Sequence, residues 1–227
     1  MTRSAPETGP LVKICGLNTL TVVDAAVEAG ADMIGFVFYP RSRRAVTPEL
    51  AQALGEKVTG TIRVALVVDA DNAEIDAILA SGVIDMLQVH GNEDPARVTD
   101  LKARTGLPVM KALRVATRDD VKQAQAFVGV ADHLLFDAKA PKDMKEALPG
   151  GNGLTFDWTL LDGLDLDMPW MLSGGLSVDN VAEAIRLTGA PGVDASSGVE
   201  DRPGVKNPDR IRAFVAAAKQ THLEHTP

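Results

Sequence analysis

Eight short runs rich in valine, isoleucine and leucine punctuate the chain: Leu11–Cys15, Asp32–Tyr39, Thr61–Val68, Ile84–His90, Pro108–Leu113, Asp132–Asp137, Met168–Ser173 and Pro191–Ala195. Runs this short and this apolar read as strands buried on both faces, the condition of a parallel sheet covered by helices. The cover is written between them. Thr47-Pro48-Glu49, Asp94-Pro95 and Asn207-Pro208-Asp209 each set a capping side chain before a proline at the first helical position. Thr117-x-x-Asp120 and Asp71-x-x-Glu74 have the spacing of capping boxes. Gly30, Gly82, Gly106 and Gly189 stand where a helical pattern gives way to the next strand, the place for a left-handed closing residue. Stripes such as Ile75, Ile78 and Leu79, or Ile211, Phe214, Val215 and Ala218, give these helices an apolar face to bury.

Eight strand–helix units predict an α/β fold closed into a (β/α)8 TIM barrel. The competitor is an open, doubly wound sheet, which would carry a glycine-rich dinucleotide fingerprint after strand 1. Lys13-Ile14-Cys15-Gly16-Leu17-Asn18 contains no such run. No linker divides the chain, so the expected organisation is a flexible N-terminal extension over residues 1–10, one catalytic barrel over 11–220 and a tail over 221–227.

Composition narrows the function. Lys plus Arg number 23 against 31 Asp plus Glu, a net charge of −8 that leaves no electrostatic footprint for nucleic acid. No apolar run reaches the ~18 residues of a membrane span, and MTRSAPETGP lacks the apolar stretch of a secretory signal. Cys15 is the only cysteine, so no internal disulfide is expected and the setting reads as reducing cytoplasm. Among four histidines only His222 and His225 are close in sequence, which makes no structural metal site.

In a barrel of this kind chemistry sits on the loops that follow the strands, with phosphate often held after strands 7 and 8. Ser173-Gly174-Gly175-Leu176-Ser177 and Ser196-Ser197-Gly198 fall at those two places. The coincidence makes Gly174, Gly175, Ser196, Ser197 and Gly198 a phosphate cradle rather than simple turns, its donors mainly backbone N–H groups. Strand alternation puts Lys13 with Cys15, Gln88 with His90, Leu135 with Asp137 and Gly192 with Asp194 on common faces. Cys15 is either an inert core thiol or a reactive one, with Lys13 the candidate charge to favour thiolate. Asp137 either caps a loop or works in the site. His90 and Asp194 are second-rank candidates to touch substrate. Among Arg41, Arg43 and Arg44 after strand 2, one arginine is placed to bind an anion in an otherwise acidic protein. Trp158 and Trp170 read as core or loop anchors.

Several strings together resemble the phosphoribosylanthranilate isomerase family: Lys13-Ile14-Cys15-Gly16, the stretch from Gly35 to Arg44, Gln88 to Glu93, Phe136-Asp137-Ala138-Lys139, Gly150 to Gly153 with Phe156-Asp157-Trp158, Leu172 to Gly175, and Val193 to Glu200. They occur in order over nearly the whole chain. The resemblance implies an isomerase of tryptophan biosynthesis, converting N-(5′-phosphoribosyl)anthranilate to 1-(2-carboxyphenylamino)-1-deoxyribulose 5-phosphate by a cofactor-free Amadori rearrangement. Carried over by position, the general base is Cys15, the general acid Asp137 and the carboxylate-binding arginine Arg44. The implied partner is a small phosphorylated substrate; the sequence leaves the assembly open between a monomer and a homodimer. Ala138, where the family often has a hydroxyl residue, and the loop from Ala138 to Pro149 depart from the pattern. The rivals are the histidine-pathway isomerase, which would show an aspartate in place of Cys15, and a barrel that has lost catalysis and serves as an interaction module.

Overall fold

The computed structural model describes residues 9–141 and 150–221. In it the eight apolar runs become eight parallel strands hydrogen-bonded in sequence order and closed on themselves. They are β1 Leu11–Cys15, β2 Met33–Val37, β3 Ile62–Val67, β4 Met86–Val89, β5 Val109–Val115, β6 His133–Ala138, β7 Trp170–Leu172 and β8 Gly192–Ala195. Closure pairs the first strand with the last, in a register that sets Lys13 beside Asp194 and Ile14 beside Ala195. On the other side of β1, Cys15 pairs with Gly35 of β2.

The helices are α1 Leu20–Glu28, α2 Pro48–Gly55, α3 Asn72–Leu79, α4 Pro95–Thr105, α5 Arg118–Lys122, α6 Val181–Thr188 and α7 Pro208–Gln220. Their ends are the ones the sequence punctuates. Thr47, Asp94 and Asn207 accept backbone N–H bonds from the first turns of α2, α4 and α7. Asp71 with Glu74 and Thr117 with Asp120 form reciprocal capping boxes. Gly106 and Gly189 close α4 and α6 in the left-handed conformation. The strands' outward side chains and the helices' inner stripes form one continuous core around residues such as Phe36, Leu87, Phe136 and Phe214. Trp170 joins it edge-to-face on Phe136, centroids 5.6 Å apart. Inside the barrel a second, smaller cluster of Met33, Val64, Met86, Met110, Ala112, Leu135 and Met171 plugs the amino-terminal end.

The regular alternation fails in two places. After β6, the described residues contain a short 3-10 turn, Trp158–Leu161, where the eight-unit pattern calls for a helix. After β8 comes a 3-10 turn at Ser197–Val199 and then a small antiparallel hairpin, β9 Glu200–Arg202 and β10 Val205–Lys206, before α7 begins. The packed chain also runs slightly past the expected limits, since Gly9, Pro10 and Thr221 are buried. The rest of the N-terminal extension, the tail with His222 and His225, and residues 142–149 of the Ala138–Pro149 loop lie outside the described residues.

Candidate active site

Residues at the carboxyl ends of every strand but β5, with the loops that follow, line one cavity. Counting its open mouth, the cavity has a volume of about 720 Å³. Cys15, Arg44, His90, Asp137, Gly174, Gly175, Asp194, Ser196 and Ser197 all line it. Gly198 does not: it lies against Leu176, whose carbonyl occupies the space a Cβ would need. Arg41 and Arg43 are exposed, so Arg44 is the arginine of its run that turns inward.

Cys15 ends β1 and is buried, and Gly35 across the ladder makes room for it. A Cβ on Gly35 would sit 2.9 Å from Cys15 Sγ. Two residues below, Lys13 is fully buried and donates from Nζ to Asp194 Oδ1 at 2.8 Å, while Ser173 Oγ donates to Asp194 Oδ2 at 3.0 Å. Burial works against the Lys13 charge, but Asp194 and Cys15 beside it hold its pKa above the ordinary lysine value. The expected lowering of the Cys15 thiol does not follow. Burial pushes the thiol pKa up, Lys13 and Lys206 oppose that, and Asp194 adds to it, so the net direction is upward. Lys13 is the right neighbour, with its charge already shared with a carboxylate.

Asp137 reaches the cavity from β6, three strands from β1 around the barrel. Its Oδ1 accepts from the Ala138 amide at 2.8 Å, and its Oδ2 lies 3.3 Å from His90 Nε2. The alignment of that last pair is not that of a hydrogen bond, and His90 Nε2 and Gln88 Oε1 are buried without one among the described residues. The loop carrying His90 is braced from behind. Lys111 donates to the Gly91 carbonyl at 3.0 Å and to Glu93 at 2.8 Å, and Glu93 accepts from the Gly91 and Asp69 amides. Gly150 presses on both groups from above, since a Cβ there would be 2.5 Å from Asp137 Oδ2.

The glycines after β7 have a packing reason to be glycine. Gly174 and Gly175 have φ of +88° and +63°. Cβ atoms on them would lie 2.7 Å from the Ala138 amide nitrogen and 2.9 Å from the Leu154 carbonyl carbon. The space opened by the missing Cβ is therefore filled by neighbouring backbone rather than kept for a ligand. The loop after β8 is also less neutral than its own residues suggest. Lys206, from β10, donates to the Ser196 carbonyl at 2.9 Å and to Ser196 Oγ at 3.1 Å.

Sequence reasoning missed Lys206, Glu200 as the partner of Arg44, and the apolar wall of Val37, Leu66, Val68 and Tyr39 beside Cys15. The wall was readable as the ends of β2 and β3. The other two depend on the hairpin. Among the described residues no group of three or more His, Cys, Asp or Glu side chains stands together as metal ligands.

A model of the family described as N-(5′-phosphoribosyl)anthranilate (PRA) isomerase matches residues 12–217. The chain belongs to this family. Phosphoribosylanthranilate isomerase is an enzyme of tryptophan biosynthesis, and the family match sets aside the histidine-pathway isomerase. The N-(5′-phosphoribosyl)anthranilate isomerase of Paracoccus denitrificans is 57% identical over 208 residues, covering 91% of this chain and 96% of its own. The crystal structure of phosphoribosyl anthranilate isomerase from Thermotoga maritima superposes with a TM-score of 0.83 at 34% identity, covering 93% of this chain and 99% of that one. A structure of the isomerase in complex with reduced 1-(o-carboxyphenylamino)-1-deoxyribulose 5-phosphate superposes with a TM-score of 0.78 at 31% identity, over 93% of this chain and 99% of that one.

Proposed function

We propose that Cys15 and Asp137 divide the Amadori rearrangement of N-(5′-phosphoribosyl)anthranilate between them, as general base and general acid. The observation that carries this is that both line one cavity, Cys15 at the end of β1 and Asp137 near the end of β6. Asp137, protonated, gives its proton to the furanose ring oxygen as the anilino nitrogen's lone pair forms the C1 iminium and the ring opens. Cys15, as thiolate, takes the C2 proton, which the iminium has acidified, and leaves an enolamine. Protonation at C1 and loss of the C2 hydroxyl proton then give the ketone, so the change is one of proton position with no net redox step.

The flanking residues support one orientation for the substrate. Arg44 and the wall of Val37, Leu66, Val68 and Tyr39 suit an aromatic ring bearing a carboxylate. Gly174, Gly175, Ser196 and Ser197, after β7 and β8, suit the phosphate through main-chain donors, with the Lys206 ammonium behind Ser196. Gly198 serves this cradle indirectly, by packing under Leu176. His90 and Asp194 face the sugar between the two ends. All these residues come from one chain, so a monomer and each copy of a homodimer carry the same set. No helix among the described residues is long and apolar enough to cross a membrane. A reducing cytoplasm suits a base that must stay a free thiol.

The test is turnover of freshly prepared phosphoribosylanthranilate, followed by loss of its fluorescence with no metal or cofactor added. Steady conversion is expected. No turnover under those conditions sinks the reading.

A further inference from the structure

The hairpin after β8 brings a second ion cluster to the rim of the cavity. Glu200 of β9, Lys206 of β10 and Arg44 from the loop after β2 are all buried there. Glu200 accepts from Arg44 Nε at 2.7 Å and from Nη2 at 3.0 Å, a bidentate pair on one edge of the guanidinium. It also accepts from Lys206 Nζ at 2.7 Å and from the Gly204 amide at 3.1 Å, so its own position is fixed on several sides. Burial alone would raise the Glu200 pKa, but Arg44 and Lys206 outweigh it and keep the carboxylate ionised. Arg44 Nη2 has a further partner in the Gly151 carbonyl at 3.1 Å, while Nη1 makes no hydrogen bond among the described residues. Two cations against one carboxylate leave the cluster with a single positive charge facing a cavity that is otherwise acidic or neutral.

We propose that Glu200 is a positioning residue for the anion clamp: it holds the Nε–Nη2 edge of Arg44 so that the Nη1 side meets a ligand carboxylate. Lys206, shared between Glu200 and Ser196, ties that clamp to the phosphate loop. The inference rests on the assignment of Arg44 to the substrate carboxylate, and it adds what aims that arginine. A long flexible side chain held on one edge of its planar fork presents the other edge in a fixed direction. Charge and position then make opposite demands on Glu200. If it mattered only as a negative charge near the ligand, removing it would tighten binding of an anion; if it aims the guanidinium, removing it weakens that binding.

Two probes separate these. One is reduced 1-(2-carboxyphenylamino)-1-deoxyribulose 5-phosphate, and the other is the same compound built from aniline, which lacks the carboxylate. Their dissociation constants are measured calorimetrically on the full chain. Glu200→Gln is expected to weaken the carboxylated probe about tenfold, the scale of one charge-assisted hydrogen bond, beyond any loss it shares with the aniline probe, whose own loss should not exceed that caused by Lys206→Met. Arg44→Ala is expected to show the same selectivity, and Glu200→Gln added to Arg44→Ala to cost nothing more. Unchanged or tighter binding of the carboxylated probe by Glu200→Gln overturns the inference. If Arg44→Ala affects both probes equally, the Arg44 assignment itself fails and takes this inference with it; if Arg44→Ala discriminates and Glu200→Gln does not, only the positioning role falls. Glu200→Gln strips the countercharge from two buried cations, so it is paired with Glu200→Gln/Lys206→Met, which restores the cluster's single positive charge. Against Lys206→Met alone, that double variant must show the same selective loss, and equal affinities for the carboxylated probe overturn the proposal.

Discussion

The amino-terminal and carboxyl-terminal halves of the barrel interior are made by the same strands and the same inward faces, two residues apart. At the amino end stand Met86, Leu135 and Met171, packed with Met33, Val64 and Met110 into an apolar plug. One pleat further along the same strands stand Gln88, Asp137 and Ser173, and the closing pair of strands adds Lys13 and Asp194. The lower layer gains from burial in the ordinary way. The upper layer buries charges and amides, some paired, such as Lys13 with Asp194, and some, such as Gln88 Oε1 and His90 Nε2, without a hydrogen bond among the described residues. Alternation alone decides which side a residue faces, and height along the strand decides whether that position holds the fold together or meets a ligand.

The sharpest way to break this division is to exchange the expected consequences of the two layers. Cys15→Ser and Asp137→Asn should each lower kcat by about 10²–10⁴-fold, the range for a lost general acid or base. Affinity for the reduced analogue should barely change, nor should the denaturant midpoint. Met110→Ala, in the plug, should do the reverse. It should cost about 2–5 kcal/mol of stability, with kcat per folded molecule nearly intact. If Met110→Ala kills turnover in folded protein, or Cys15→Ser unfolds the chain without touching kcat, the two layers are not separable as described.

A smaller effect lies in pH. Lys206 is buried, and burial lowers its pKa to about 8 despite Glu200 beside it. A lysine with a lowered pKa is a cation below that pH and neutral above it. The grip on Ser196 should therefore slacken as pH rises through about 8, and KM should climb there. The Cys15 thiol moves the other way, its pKa raised by burial, so the thiolate fraction of the free enzyme grows only as pH passes above the ordinary thiol value of 9.0. Lys206→Met should start from a higher KM and lose the rise near pH 8, which steady-state kinetics across pH would show. A parent enzyme with flat KM through that range removes Lys206 from the phosphate loop's function.

How much of this could be read from the sequence follows from the range of each signal. The strands and the helix caps at Thr47, Asp71, Asp94, Thr117 and Asn207 are local patterns, and they stand where the residues put them. Cys15 and Asp137 stand out as polar residues at the ends of apolar strands, whereas Arg44 is separated from Arg41 and Arg43 only by the family resemblance. The contact of Lys13 with Asp194 spans 181 residues and exists only because the barrel closes β1 on β8. Depth of burial, which turns the Cys15 pKa upward, is a property of the closed barrel and leaves no mark on the neighbouring residues. The β9–β10 hairpin has strands of three and two residues with an exposed Asp201-Arg202 pair, too short and too polar to show a period. Gly174 and Gly175 do line the cavity, but neighbouring backbone fills the space a Cβ would need, a contact that no local sequence pattern shows.

The smallest expected effect is at Ser197. If main-chain N–H groups hold the phosphate, Ser197→Ala should change the affinity of a simple phosphosugar by no more than about threefold, less than one full hydrogen bond to a charged group. A loss beyond about tenfold would make the hydroxyl a principal donor and the cradle a side-chain site.

The most direct measurement of the central claim is a crystal structure of this protein with the reduced analogue bound. The account predicts the carboxyphenyl group against Arg44 and the wall of Val37, Leu66 and Tyr39. It puts the phosphate on the main chain of Gly174, Gly175, Ser196 and Ser197, and C2 within about 3–3.5 Å of Cys15 Sγ, the distance of a productive approach. A ligand turned end for end, with phosphate on Arg44 and C2 out of reach of Cys15, would contradict both the orientation and the assignment of the base.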